Sequence, residues 1–360
     1  MRVLVLGGTG AMGKHLVHLL VEEGKDVHVT SRTRSGMEAG VHYIQGNAQD
    51  LNFLMGILTE SWDSIVDFMV YTTPIFQKRY SYLLNATKQY VFISSARVYA
   101  NSEEPIKECS PRLLDVVKDD GYLKTDEYAL TKARQEDLLL ASQSKNWTII
   151  RPYITYDDER LQLGVLEKED WLYRALNGRS IVTAQDIQNK STTLTAGIDV
   201  AYAICSVLGK QEALGEAFHI TGNKNVTWKE ILNIYLEVLK KQGFNTGFVE
   251  QSLNDFLTWR KGRYQVIYDR LFDRIFDNSK INNFIDNSKF IAPQEGLSDC
   301  LTSFLNRKPW QFKSPNWQEE ALKDRALKES TSLCEIPNCK QKLKYQIFKN
   351  LPEVGRILTK

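Results

Sequence analysis

The feature that most limits this chain is a run of glycines set between its first apolar stretch and its first helical one. Arg2-Val-Leu-Val-Leu6 reads as a buried strand, GKHLVHLLVEEGK from Gly13 reads as a helix, and Gly7-Gly8-Thr9-Gly10-Ala11-Met12-Gly13 joins them. A strand that turns this sharply into a helix needs backbone free of Cβ atoms, and the helix start then offers its first N–H groups to an anion. That context fixes an α/β fold with its ligand on the carboxyl edge of the sheet.

The rhythm continues through DVHVTSR, HYIQGN, SIVDFMVY and QYVFISS, short β-branched runs separated by helical patterns, with Gly24 closing the first helix. Such alternation signals βαβ units on a parallel sheet. The expected architecture is α/β: a Rossmann doubly wound parallel sheet over residues 1–151, with a smaller, interleaved C-terminal α/β substrate domain. From WTIIRPYITY onward the pattern changes, so residues 152–192 and 222–310 are expected to form the substrate region. Residues 193–221 read as a return to the first domain, and 311–360 as a C-terminal appendage.

Composition narrows the classes of function. With 360 residues, 42% of them hydrophobic, the chain can bury a sizeable core, and a net charge of +2 asks for neither nucleic acid nor an anionic membrane. No apolar run approaches the ~18 residues of a membrane span, and the first strand begins at Met1 without a charged leader, so a cytoplasmic location is expected. Five cysteines (109, 205, 300, 334, 339) are too sparse and odd in number for a disulfide framework and are read as reduced thiols. Cys334 and Cys339 lack the second pair or histidine that a zinc set requires, so no metal is expected.

Gly7, Thr9, Gly10, Ala11, Met12 and Gly13 are the expected pyrophosphate cradle of a dinucleotide. At the end of the second strand an acidic residue would hold a ribose 2′-hydroxyl and repel a 2′-phosphate, but here stand Ser31, Arg32, Thr33 and Arg34. Guanidiniums and hydroxyls suit the phosphate, so NADP(H) is the preferred cofactor, with NAD(H) as the other possibility.

A second constellation follows. Tyr90 to Ile93 is an apolar strand ending in Ser94 and Ser95, and some thirty residues later Tyr128-Ala-Leu-Thr-Lys132 lies in a helical pattern. The i, i+4 spacing sets phenol and ammonium on one helix face, where a cation favours the phenolate that passes a proton to or from a substrate oxygen. A serine adds a hydrogen bond to that oxygen. The second Tyr-x-x-x-Lys, Tyr345 to Lys349, follows no serine-ended strand and is read as chance.

Together these segments resemble the extended or atypical short-chain dehydrogenase/reductase family, the group of nucleotide-sugar epimerases, dehydratases and ketoreductases, over roughly residues 1–310. Gly7, Gly10 and Gly13 match its cofactor turn, Ser95-Ala-Arg-Val-Tyr99 its S-x-x-V-Y-G apart from Ala100 in place of the last glycine, and Tyr128 and Lys132 its catalytic pair. The resemblance implies that Ser95, Tyr128 and Lys132 are catalytic, that Tyr128 and Lys132 also touch the cofactor, and that Asn47 and Asp50 lie near the adenine. It implies a nucleotide-sugar substrate and a homodimer. Departures are Asp67-Phe-Met-Val-Tyr71 in place of His-x-Ala-Ala, as in the atypical branch with chloroplast RNA-binding relatives, and Thr192 where the family's diphosphate-gripping arginine stands. Lys190, Arg270 or Arg274 could supply that charge, with Ser94 as a further substrate contact. Ala96-Arg97 replaces the acid pair of the dehydratases, which sets dehydration aside. Reduction of a keto-sugar by NADPH is the expected reaction, with NAD-dependent C4 epimerisation as the alternative. A non-catalytic nucleotide- or RNA-binding relative is the rival of another class. The stretch 340–360, basic and amphipathic but broken at Pro352 and Gly355, is expected to fold onto the protein's own body or a neighbouring subunit.

Overall fold

The strand patterns become one eight-stranded sheet in the computed structural model, which describes residues 1–358. In chain order its strands are β1 (Arg2–Leu6), β2 (Asp26–Ser31), β3 (Gly36–Glu38), β4 (Val41–Gln45), β5 (Trp62–Asp67), β6 (Thr87–Ile93), β7 (Trp147–Pro152) and β8 (Glu216–Ile220). They lie side by side as β8-β7-β6-β5-β1-β2-β4-β3, all neighbours parallel except the exposed hairpin edge β3, which runs antiparallel to β4. The order reverses at β1, where the first crossover helix, α1 (Gly13–Glu22), begins.

The central strands are apolar without alternation because both faces are covered. In β1, Val3 and Val5 pack with Leu16 and Leu20 of α1 and with Val200 and Ile204 of the helix Gly197–Val207. Leu4 and Leu6 point the other way, to Leu54, Ile65, Phe76 and Phe92. All four are fully buried.

The chain divides into two compact units. The first comprises residues 1–157, 191–226 and 272–296, and the second 158–190, 227–271 and 297–360. Residues 272–296 therefore belong with the sheet and not with the substrate region, contrary to the sequence-based division. The segment shows no helical or strand period because it is built of short turns: Phe276 bridges to Ile106, Phe284 meets Phe218 edge-on, and Asn278 and Asn287 hydrogen-bond Thr221.

In the second unit Trp171, of the helix Lys168–Leu176, stacks on Tyr235 of the helix Trp228–Lys241 at 4.4 Å. The tail packs here too. Trp317, Ala321, Ile336, Tyr345 and Phe348 form a small core, and the Tyr345 hydroxyl donates to Asp324 at 2.7 Å. Lys349 donates to the carbonyl of Glu329, so the second Tyr-x-x-x-Lys is a packing element. Lys360 lies outside the described residues. Among those residues, no helix is long and apolar enough to cross a membrane.

Candidate active site

The glycine turn can be read position by position. Gly7 has φ +75, a left-handed conformation, and a Cβ there would come within 2.8 Å of the Met69 sulfur. At Gly13 a Cβ would stand 2.7 Å from the backbone of Gly8. Gly10 is different: no protein atom lies within 4 Å of its would-be Cβ. Packing within the protein explains the first two glycines, and at the third the space is open to an approaching ligand. Thr9 and Gly10 are exposed and Ala11 and Met12 half-buried. The helix Gly197–Val207 starts so close to Ala11 that any Cβ at Gly197 would overlap the Ala11 carbonyl, which holds the turn from behind. No side chain caps α1 and its first turn carries no acid, while Lys14 and His15 are drawn to Asp157 at 2.6 and 2.7 Å. A bare helix start behind an open glycine fits a dinucleotide pyrophosphate.

At the end of β2 the Ser31 hydroxyl oxygen accepts the N–H groups of Thr33 and Arg34, which leaves its O–H able to donate. Arg34 donates to the Tyr43 hydroxyl at 2.9 Å and lies over that ring, while Arg32 is exposed. Asn47 and Asp50 are exposed and also have local roles. The Asn47 carbonyl accepts from Gln49 N, and the Asp50 carboxylate caps the helix Leu51–Ile57 by accepting from Phe53 N. These side chains close a turn and cap a helix, the common use of both residue types.

Ser95, Tyr128 and Lys132 come together on the carboxyl side of β6. Ser95 starts a short turn, its oxygen accepting from Arg97 N at 3.2 Å, which leaves its O–H able to donate. Arg97 then lies over the Tyr128 ring, 5.4 Å from its centroid, and pairs with Glu127, the residue that caps helix α2 (Tyr128–Leu140). One turn into α2, Lys132 is buried, 5.9 Å from the Tyr128 ring centroid, and donates to the carbonyl of Ile93 at 2.7 Å. Burial, partly offset by the charges of Asp67 and Glu136, brings its ammonium down to about 8. Two cations thus flank a half-buried phenol.

Sequence reasoning missed what surrounds this trio. Asp67, at the end of β5, is fully buried, accepts from Met69 N (2.9 Å) and Tyr90 OH (2.8 Å), and is held protonated more readily than an ordinary carboxyl by that burial. Glu136, one turn after Lys132, accepts from Ser94 at 2.5 Å and takes both arms of Arg151 at 2.8 Å. The Tyr128, Lys132, Glu136 spacing of four was a usable signal; the partner Arg151, on β7, was not visible locally. Ser94 is therefore a structural residue and not a substrate contact, because its hydroxyl is spent on a buried carboxylate. Among the remaining substrate candidates, Arg274 is buried in the first unit and donates to the carbonyls of Tyr99 and Ala100. Arg270 is buried in the second unit, bound to Asp269 and to the carbonyl of Gly164, over the Trp228 ring. Both guanidiniums serve the fold, which removes them from the open surface a diphosphate needs. Thr192 is buried in the first unit and its hydroxyl finds no partner among the described residues; Lys190 is half-buried in the second.

Arg151 extends the network to the sheet edge, donating to the Tyr99 hydroxyl at 2.9 Å. His219 on β8 is fully buried between that hydroxyl (3.3 Å) and the carbonyl of Asp277 (2.8 Å), and burial brings its imidazole from 6.5 down to about 4. The native state thus resists a proton that the unfolded chain accepts. Stability from this group is complete above the unfolded value of 6.5 and is lost as pH falls toward 4, a decrement of about 3 kcal/mol. Urea unfolding at pH 7.5 and 4.5 is expected to show a smaller acid loss in His219→Gln than in the parent. An equal loss in both proteins would show that His219 does not titrate this way.

Comparison with known proteins agrees with this geometry. The family model described as NAD(P)H-binding matches residues 7–189, half of the chain. The chloroplast stem-loop binding protein of 41 kDa b from Arabidopsis thaliana is 26% identical over 63% of the chain, and the match spans 60% of that protein's own length. UDP-glucose 4-epimerase of Streptococcus mutans is 31% identical over 31% of the chain and 41% of the enzyme. Among solved structures, an epimerase from Methanothermobacter thermautotrophicus superimposes with a TM-score of 0.65 at 18% identity, covering 86% of this chain and 95% of that one. The dTDP-glucose 4,6-dehydratase of Bacillus anthracis, solved with NAD, gives 0.64 at 18% identity, covering 86% and 98%. With a glycine turn built for a dinucleotide and a family model that spans half its length, the chain belongs to the NAD(P)H-binding family and has the fold of the extended short-chain dehydrogenase/reductases.

Proposed function

We propose that the protein is an NAD(P)-dependent oxidoreductase acting on a nucleotide-activated sugar, and that it reduces a keto group with NADPH. The observation that carries this reading is the trio at the end of β6: a half-buried Tyr128 flanked by Lys132 and Arg97, with the O–H of Ser95 unspent. When bound, the nicotinamide supplies the hydride. Tyr128 gives its proton to the substrate oxygen, Ser95 donates a hydrogen bond to the same atom, and Lys132, fixed by the Ile93 carbonyl, keeps a positive charge beside the phenol. Residues 7–13 would hold the pyrophosphate. The substrate class is carried over from the relatives named for UDP-glucose and dTDP-glucose.

NADP(H) is favoured because β2 ends without an acid and Arg32 is exposed just beyond it. Arg32→Ala is expected to weaken NADP binding about tenfold while NAD changes little, as measured by calorimetry with both cofactors. Equal losses, or a parent protein that prefers NAD, would remove the phosphate role and favour a second reading, epimerisation, which the UDP-glucose 4-epimerase relatives support. Two assays separate the readings. Oxidation of NADPH in the presence of a UDP- or dTDP-linked 4-keto sugar supports reduction; interconversion of UDP-glucose and UDP-galactose without net cofactor turnover supports epimerisation. Failure of both, with tight binding of a stem-loop RNA, would replace catalysis by the role named for the Arabidopsis relative.

A further inference from the structure

The amino edge of the sheet, opposite the glycine turn, carries a second cluster of chemistry. Asp26 and His28 alternate on β2 and so share one face, while Val27 and Val29 point into the core. In the parallel register His28 stands directly beside His42 of β4. Strand pairing alone thus gathers two imidazoles and a carboxylate. The Nε2 atom of His28 is 3.0 Å from Oδ1 of Asp26, and that of His42 is 3.9 Å from the same oxygen. All three potential ligand atoms lie within 4.8 Å of one another. The rings are stacked, 4.6 Å apart and 9° from parallel, and Trp62 meets His28 edge-on at 5.0 Å.

The cluster already attracts a cation. Arg2 places its Nε 3.4 Å from the His28 nitrogen and 3.5 Å from Asp26, while its terminal nitrogen reaches Glu60 and its plane lies 4.3 Å from the Trp62 centroid.

We propose that Asp26, His28 and His42 form a binding site for a late first-row divalent metal ion of the zinc, nickel or copper class, and that Arg2 is its built-in competitor. An N₂O donor set suits these borderline ions, whereas magnesium and calcium ask for oxygen. A metal must lie near the plane of each imidazole, so the stacked rings have to splay. Asp26 and His42 have the freedom for this, with side chains 49% and 46% exposed. Arg2 would withdraw to Glu60 and Trp62. The ion then ties β2 to β4 at the edge remote from the nicotinamide chemistry, independently of the proposed activity.

The test uses the full chain without a histidine tag, stripped with chelator and titrated calorimetrically with zinc, nickel and copper sulfates. One saturable site of micromolar affinity is expected, and copper should quench a part of the tryptophan fluorescence that is lost in Trp62→Phe. His42→Ala is expected to weaken binding at least tenfold, and Arg2→Ala to tighten it by about the same factor; thermal melts without metal check that both variants remain folded. Absence of saturable binding to the parent overturns the proposal. So does unchanged affinity in His42→Ala, which would move the metal to the exposed thiols Cys334 and Cys339. Unchanged affinity in Arg2→Ala overturns the competitor role.

Discussion

Replacing Tyr128 by phenylalanine is expected to lower turnover by about 10²–10⁴-fold while cofactor affinity stays within a few-fold. In the proposed mechanism the phenol passes a proton to the reacting oxygen, whereas the dinucleotide would be held by the turn at residues 7–13, which follows β1 and not the helix that carries Tyr128. The ring itself remains under Arg97 and beside Lys132 in the variant, so the helix start should keep its geometry. Steady-state rates in whichever assay the parent is active, set beside calorimetric cofactor binding, separate the two effects. Undiminished turnover would take Tyr128 out of the mechanism, and a parallel collapse of cofactor binding would turn it into a binding residue.

The largest effect on stability is expected at Arg174. Its guanidinium is completely buried in the second unit and holds Glu320 at 2.6 Å, Asp324 at 2.9 Å and Glu329 at 2.6 Å, while its Nε donates to the carbonyl of Ser180. Burial alone would make Asp324 easier to protonate; the Tyr345 hydroxyl and the Arg174 charge reverse that and keep it a carboxylate. Arg174→Ala leaves the buried Asp324 without its counter-charge and Glu320 with Lys323 alone, which should cost about 3–5 kcal/mol, or about 10 °C in melting temperature. Lysine should rescue only part of this, because a point charge cannot reach three carboxylates in the fork geometry of a guanidinium. A variant that melts within a degree or two of the parent would mean that the acids simply take up protons.

Much of this was legible in the residues. The glycine turn, the repeated β-branched runs and the Tyr-x-x-x-Lys spacing are local signals, each set by the backbone within a dozen residues, and the parallel sheet follows from them. What escaped is decided by partners remote in sequence. That Asp50 caps a helix depends on where Phe53 N lies, which its letter alone does not tell. Arg270 and Arg274 looked like anion grips because arginine is usually exposed; burial against the carbonyls of Gly164, Tyr99 and Ala100 converts them into struts. Ser94 and Ser95 are adjacent, yet the alternation of a strand end sends one hydroxyl to Glu136 and leaves the other to donate. Residues 272–296 have no period to read, since their turns are fixed by the strand they cover.

The order of strands in the sheet bears on how the chain is made. β7 is complete at residue 152, but its outer neighbour β8 is not made until residue 220. At about 5–20 residues per second, a nascent chain carries the open edge of Trp147-Thr-Ile-Ile-Arg-Pro152 for roughly 3–14 s before its partner strand exists. An unpaired apolar edge of this kind is a template for pairing with another chain. The interval between those two strands is therefore when a translating ribosome most needs a chaperone at this protein's side, and a message cut between their codons would yield a sticky half-sheet in place of a small soluble domain.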